Sequence, residues 1–147
     1  MTTAARRTLI FVVLVVVAIV AGQFGRMGWF AAFVENRTFS EPFGILDWAS
    51  LISWCFEFLF FFAFGVVIAS LFSSNHPLRW SFAFGGICGA LRFSWSHYHF
   101  YSEANWATYF WAYGSSFMPA LGALAGAKAA QLLSAWRIRH ATIFPAK

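Results

Sequence analysis

Charge is scarce in this sequence. Only 10% of its 147 residues are charged, and only five of those are acidic, whereas ordinary soluble domains carry roughly 25% charged residues. The length alone would suit one soluble domain. The composition does not, because so few charges cannot cover a chain that is 61% hydrophobic. Cysteine is scarce too. Cys55 and Cys88 both fall inside apolar runs and no pair flanks a loop, so no disulfide framework is expected and both read as small buried hydrophobes. G-x-S-x-G, a P-loop, H-E-x-x-H and paired C-x-x-C segments are all missing, so no motif names an activity. No repeat, low-complexity tract or linker divides the chain, which is read as a single membrane domain over 1–147.

What is present is a series of long apolar runs. A helix needs about 20 apolar residues to cross the hydrocarbon of a bilayer, and four stretches qualify, over approximately 8–25, 46–72, 80–99 and 107–136. The runs are continuous and not alternating, which favours helices over a β-barrel. The expected fold is therefore all-α: an integral membrane protein built as a bundle of four transmembrane helices with short loops. The first run, preceded by Arg6 and Arg7, is longer than a signal-peptide core and lacks a clear small-x-small cleavage site, so it reads as a retained anchor. The stretch Arg26 to Gly44 is mixed and reads as an outer loop with a short interfacial helix; it contains Asn36-Arg37-Thr38, a glycosylation-type triplet too short to carry weight. Pro77 marks the break between the second and third runs.

Orientation follows from the cations. With the N-terminus inside, Arg6, Arg7, Arg79, Arg137, Arg139 and Lys147 all face the cytoplasm and Lys128 lies close to it. A Lys/Arg bias of this kind retains loops on the cytoplasmic side, so the chain is expected in the cell (inner) membrane with both termini cytoplasmic. The formal net charge of +5 thus belongs to span ends and does not indicate a nucleic-acid partner. Trp48, Trp80, Trp95, Trp106, Trp111 and Trp136 fall near span ends, as an interfacial aromatic belt would have them, with Trp54 the exception.

Two ionisable residues lie deep in the runs. Glu57 is ten residues past Asp47, roughly 15 Å along a helix, and Arg92 is twelve past Trp80, roughly 18 Å, in a core about 30 Å thick. Both reach a similar depth from opposite sides. A lone central Arg costs about 2.5–3.5 kcal/mol on insertion scales, so an interhelical ion pair between Glu57 and Arg92 is expected, facing the bundle interior. Ser50 and Ser53 share a helical face with Glu57; Gly85, Gly89 and Ser96 share one with Arg92. Gly85 and Gly89, like Gly122 and Gly126 in the fourth run, fit the small-xxx-small pattern of close helix packing. Pro119 frees the carbonyl of Ser115 and favours a kink.

His97, His99 and Glu103 are the weak candidates for a metal site at the outer end of the third run. The histidines are two apart, which on a helix points them to different faces; only an extended backbone would align them. Haem would need axial ligands at matched depth, and His76 and His140 lie outside the core on the other side, so no cofactor is expected. These features favour a non-enzymatic accessory or scaffold subunit. Its partners would be the lipid bilayer and another membrane protein, or itself as a homo-oligomer. The alternatives are an oligomeric channel or small transporter with a polar path along Glu57, Arg92, Ser50 and Ser53, and a membrane-embedded metal-dependent enzyme using His97, His99 and Glu103.

Overall fold

The computed structural model describes residues 2–29, 48–72, 76–100 and 106–143. Within them the protein is all-α, a bundle of four helices: α1 (Thr3–Trp29), α2 (Trp48–Leu71), α3 (Pro77–Phe100) and α4 (Trp106–Ile143). Each end has a local cause. The Thr2 hydroxyl accepts a hydrogen bond from the Ala5 amide at 3.3 Å and caps α1. Pro77 does more than interrupt a run: it occupies the first position of α3, where its missing amide is not needed. The carbonyl of His76 ahead of it accepts from the Arg79 amide at 2.9 Å.

Two helices are longer than their apolar runs. α1 continues through Arg26 to Trp29, so this part of the expected outer loop is helix. Residues 30–47 lie outside the described residues, and with them the rest of that loop and the Asn36 triplet. α4 spans 38 residues, about 57 Å at 1.5 Å per residue, well past Trp136. Helical hydrogen bonding does not stop where hydropathy falls; it stops where an amide is missing or the chain turns.

Close approaches between helices fix their directions. Along α4, Gly114 lies against Trp54 of α2, then Gly122 against Phe58 and Gly126 against Phe62, so α2 and α4 run parallel. Gly85 of α3 lies against Pro119 and Ala120, and Gly89 against Ser116, so α3 runs the opposite way. Phe11 of α1 meets Trp80 and Phe84 of α3, and Gly22 faces Phe60 of α2, so α1 runs with α3. The start of α1, the link between α2 and α3 and the end of α4 therefore share one end of the bundle. Arg6, Arg7, Arg79, Lys128, Arg137 and Arg139 gather at that end.

The four helices are packed in two different ways. On one side α4 wedges between α2 and α3 on a stripe of glycine. A Cβ added at Gly126 would collide with the Phe62 carbonyl, one at Gly65 with the Ala123 carbonyl, and one at Gly89 with the Ser116 carbonyl. On the other side α1 is held by aromatic rings. Trp80 stacks on Phe72 at 4.9 Å and takes Phe11 edge-on at 5.1 Å; Phe84 stacks on Phe64 at 5.4 Å. Phe72, Phe84 and Ile68 are fully buried, and this cluster fills the half of the bundle nearest the basic end. Trp80 is accordingly an interior ring and not only a belt residue, because Phe11 and Phe72 close on it.

Two of the described helices, over Thr3–Gly22 and Ser53–Leu71, are long and apolar enough to cross a membrane. The expected equal standing of four spans does not follow from length and composition alone. Arg79, Arg92, three serines and two histidines lower the hydropathy of α3, and small residues lower that of α4.

Candidate functional site

The hairpin of α2 and α3 brings Glu57 and Arg92 together. Phe72 and Trp80 meet at the closed end, and antiparallel helices then pair residues that lie equally far from that contact. Glu57 is fifteen residues back and Arg92 twelve residues on, so they reach nearly the same level, about 18–22 Å from it. Arg92 Nη1 forms a salt bridge with Glu57 Oε1. Glu57 is only 4% exposed and Arg92 is half-buried. An ion pair this far from water persists because breaking it strands a charge, not because forming it stabilises the fold strongly.

Beside the pair lies a cavity of about 340 Å³. Ala18 and Gly22 of α1 form one wall, Phe56 and Phe60 of α2 the next, and Leu91 of α3 another, while Pro119 of α4 closes the back. Its origin is the unequal packing. Glycine lets α4 approach α2 and α3 to backbone contact, whereas rings at Phe11, Phe84 and Trp80 keep α1 at side-chain distance. Past Ala18 those rings end, and Gly22 offers no side chain; a Cβ there would meet nothing nearer than Phe60 Cε1 at 3.8 Å. Phe56 and Leu91 at the rim are 41% and 50% exposed, so the cavity opens at the side of the bundle. The carboxylate and the guanidinium supply the charged part of its wall.

The remaining residues singled out in the sequence distribute as follows. Ser53 is half-buried on the turn before Glu57, and Ser50 lies in α2 at a position where only the backbone is described. Gly85, Gly89, Gly122 and Gly126 all sit at helix crossings. Pro119 is fully buried within an uninterrupted α4, its carbonyl against Gly85. His97 and His99 fall within α3, so the backbone there is helical and not the extended form that would align them. Glu103 lies outside the described residues. Among the described residues no group of three or more potential metal ligands occurs. Cys88 is buried, but Cys55 is exposed, which corrects the expectation that both are buried: Cys55 points away from the face that carries Glu57.

Sequence reasoning passed over Gly65 and Gly114. Gly65 is the sole glycine of α2, and that isolation in a phenylalanine-rich run was its signal. Gly114 receives the ring of Trp54, which explains the one tryptophan that did not fit the interfacial belt. The cavity-lining Ala18 and Gly22 carried no signal, since small residues are common in apolar helices. No protein family, curated protein or solved structure was found to match the chain.

Proposed function

We propose that the chain is a four-span membrane domain acting as a non-enzymatic accessory or scaffold subunit that packs laterally in the bilayer. The observation that carries this is where the apolar surface points. In the two apolar stretches Thr3–Gly22 and Ser53–Leu71 only 17% and 28% of the residues are buried. The core helix of a soluble protein would show the reverse. Leu9, Val12, Val13, Val16, Val17 and Val20 of α1 are each about half exposed and form a wide aliphatic surface for lipid or a neighbouring helix. Dispersion and shape, not hydrophobic transfer, drive such contacts in a membrane.

The basic end supports an orientation with that end in the cytoplasm. Reporter fusions at the N-terminus and after Lys147 are expected to give cytoplasmic signals in both cases. Opposite locations for the two ends would refute the four-span arrangement. For the lateral role, native mass spectrometry from mild detergent is expected to show the chain bound to a membrane partner or to itself. A lone monomer at every protein concentration would count decisively against it.

Transport is the weaker reading. The aromatic cluster around Phe72, Trp80 and Phe84 fills the interior on the basic side of the ion pair, so a path through one bundle would have to displace it. Flux into liposomes that is lost in Glu57→Gln would restore that reading; absence of flux agrees with the scaffold.

A further inference from the structure

We infer that the cavity beside Glu57 and Arg92 is a binding site for a neutral, lipid-soluble ring compound bearing a carbonyl oxygen, of the quinone class, with that oxygen accepting a hydrogen bond from Arg92. The inference goes beyond a scaffold role, which needs no ligand, and its failure would leave the partner and topology results untouched.

Size is the first argument. At about 340 Å³ the cavity falls at the lower end of small-molecule pockets, roughly 300–1,000 Å³. That suits a single substituted ring better than a long folded chain. Shape is the second. Phe56 and Phe60 lie stacked within 19° of parallel on consecutive turns of α2, opposite the small residues Ala18 and Gly22. A flat molecule between them would have ring faces on one side and helix backbone on the other.

Charge selects among flat molecules. The walls are apolar except for one carboxylate and one guanidinium already joined to each other. An anion entering would meet the carboxylate, and a cation the guanidinium; either would have to compete with the pair in a medium of low dielectric. A neutral acceptor has no such conflict. A guanidinium carries five N–H donors in a planar fork, more than one carboxylate engages bidentately. A carbonyl oxygen can therefore be added without breaking the salt bridge. A pure hydrocarbon would fill the space but gain nothing from Arg92. Access is the last argument: the exposed rim at Phe56 and Leu91 faces the surroundings of the bundle. For a chain in lipid, that admits a ligand already dissolved in the bilayer.

The test uses the full chain in phosphatidylcholine nanodiscs with tetramethyl-1,4-benzoquinone as probe and tryptophan quenching as readout, after subtracting the quenching seen at non-saturating partition. Saturable binding is expected. Gly22→Leu places a side chain in the cavity and should weaken it at least tenfold. Gly22→Ala, whose Cβ makes only an ordinary contact with Phe60, should retain it. Tetramethylbenzene, the same frame without oxygens, should compete at least tenfold less well than the quinone. Non-saturable quenching, or binding indifferent to Gly22→Leu, overturns the site. Equal competition by the hydrocarbon overturns recognition through Arg92 and leaves only an apolar void.

Discussion

Replacing Glu57 by leucine, or Arg92 by methionine, is expected to lower the stability of the protein by about 3–5 kcal/mol, while making both changes together returns it close to its starting value. The asymmetry follows from the location of the pair. Glu57 is 4% exposed, and its salt bridge to Arg92 lies beside a cavity whose other walls are apolar. Removing one partner leaves a charge in that environment, and breaking a buried pair this way costs about 3–5 kcal/mol. An insertion cost of about 2.5–3.5 kcal/mol for a central Arg gives a similar magnitude. Removing both charges leaves leucine and methionine of similar volume, and buried pairs exchanged for apolar residues are often neutral or better. Detergent-to-dodecyl-sulfate titration of the four proteins, followed by circular dichroism, measures the cycle. A double variant as unstable as the two single losses added together would mean that the residues do not act as a pair.

The second large effect is a reversal of helix propensity. Alanine is a better helix former than glycine by about 1 kcal/mol, so Gly→Ala within a helix should stabilise. At Gly126 and Gly65 it is expected to destabilise by about 2–3 kcal/mol, the upper range for overpacking a tight core. The reason is what the new methyl meets. At Gly126 it is the carbonyl of Phe62 and at Gly65 the carbonyl of Ala123. A side chain could rotate away, but a helix backbone can yield only if α2 and α4 separate, and that loosens contacts along their length. Gly86 provides the control, because nothing lies within 4 Å of its added Cβ. Gly86→Ala should be neutral or slightly stabilising in the same titration. If Gly126→Ala and Gly86→Ala behave alike, the glycine stripe does not set the separation of the helices.

The limits of sequence reading are visible in particular residues. Gly85, Gly89, Gly122 and Gly126 could be noticed from their spacing, because a helix repeats every 3.6 residues and small residues four apart share a face. Gly65 could not, since its partner is the backbone of a helix about sixty positions away. The end of α4 was legible in principle. Ile143 lies two residues before Pro145, and proline restrains the residue ahead of it from helical geometry. Hydropathy stops at Trp136 because it measures affinity for lipid, whereas helix continuation depends on the next amide. His97 and His99 show the converse: spacing defined two alternatives, and the local backbone of α3 decided between them.

Composition and periodicity by themselves determined that the chain is helical, that its apolar runs are long, that its cations cluster between and beyond those runs, and that Glu57 and Arg92 lie at similar depth. All of these are counts along one axis, and a rise of about 1.5 Å per residue converts them directly to height. Only the tertiary structure decided distance across that axis: glycine draws α4 to backbone contact, rings hold α1 away, and a cavity remains beside the ion pair. Lateral separation depends on which side chains meet from different helices, and no position along a single helix contains that information.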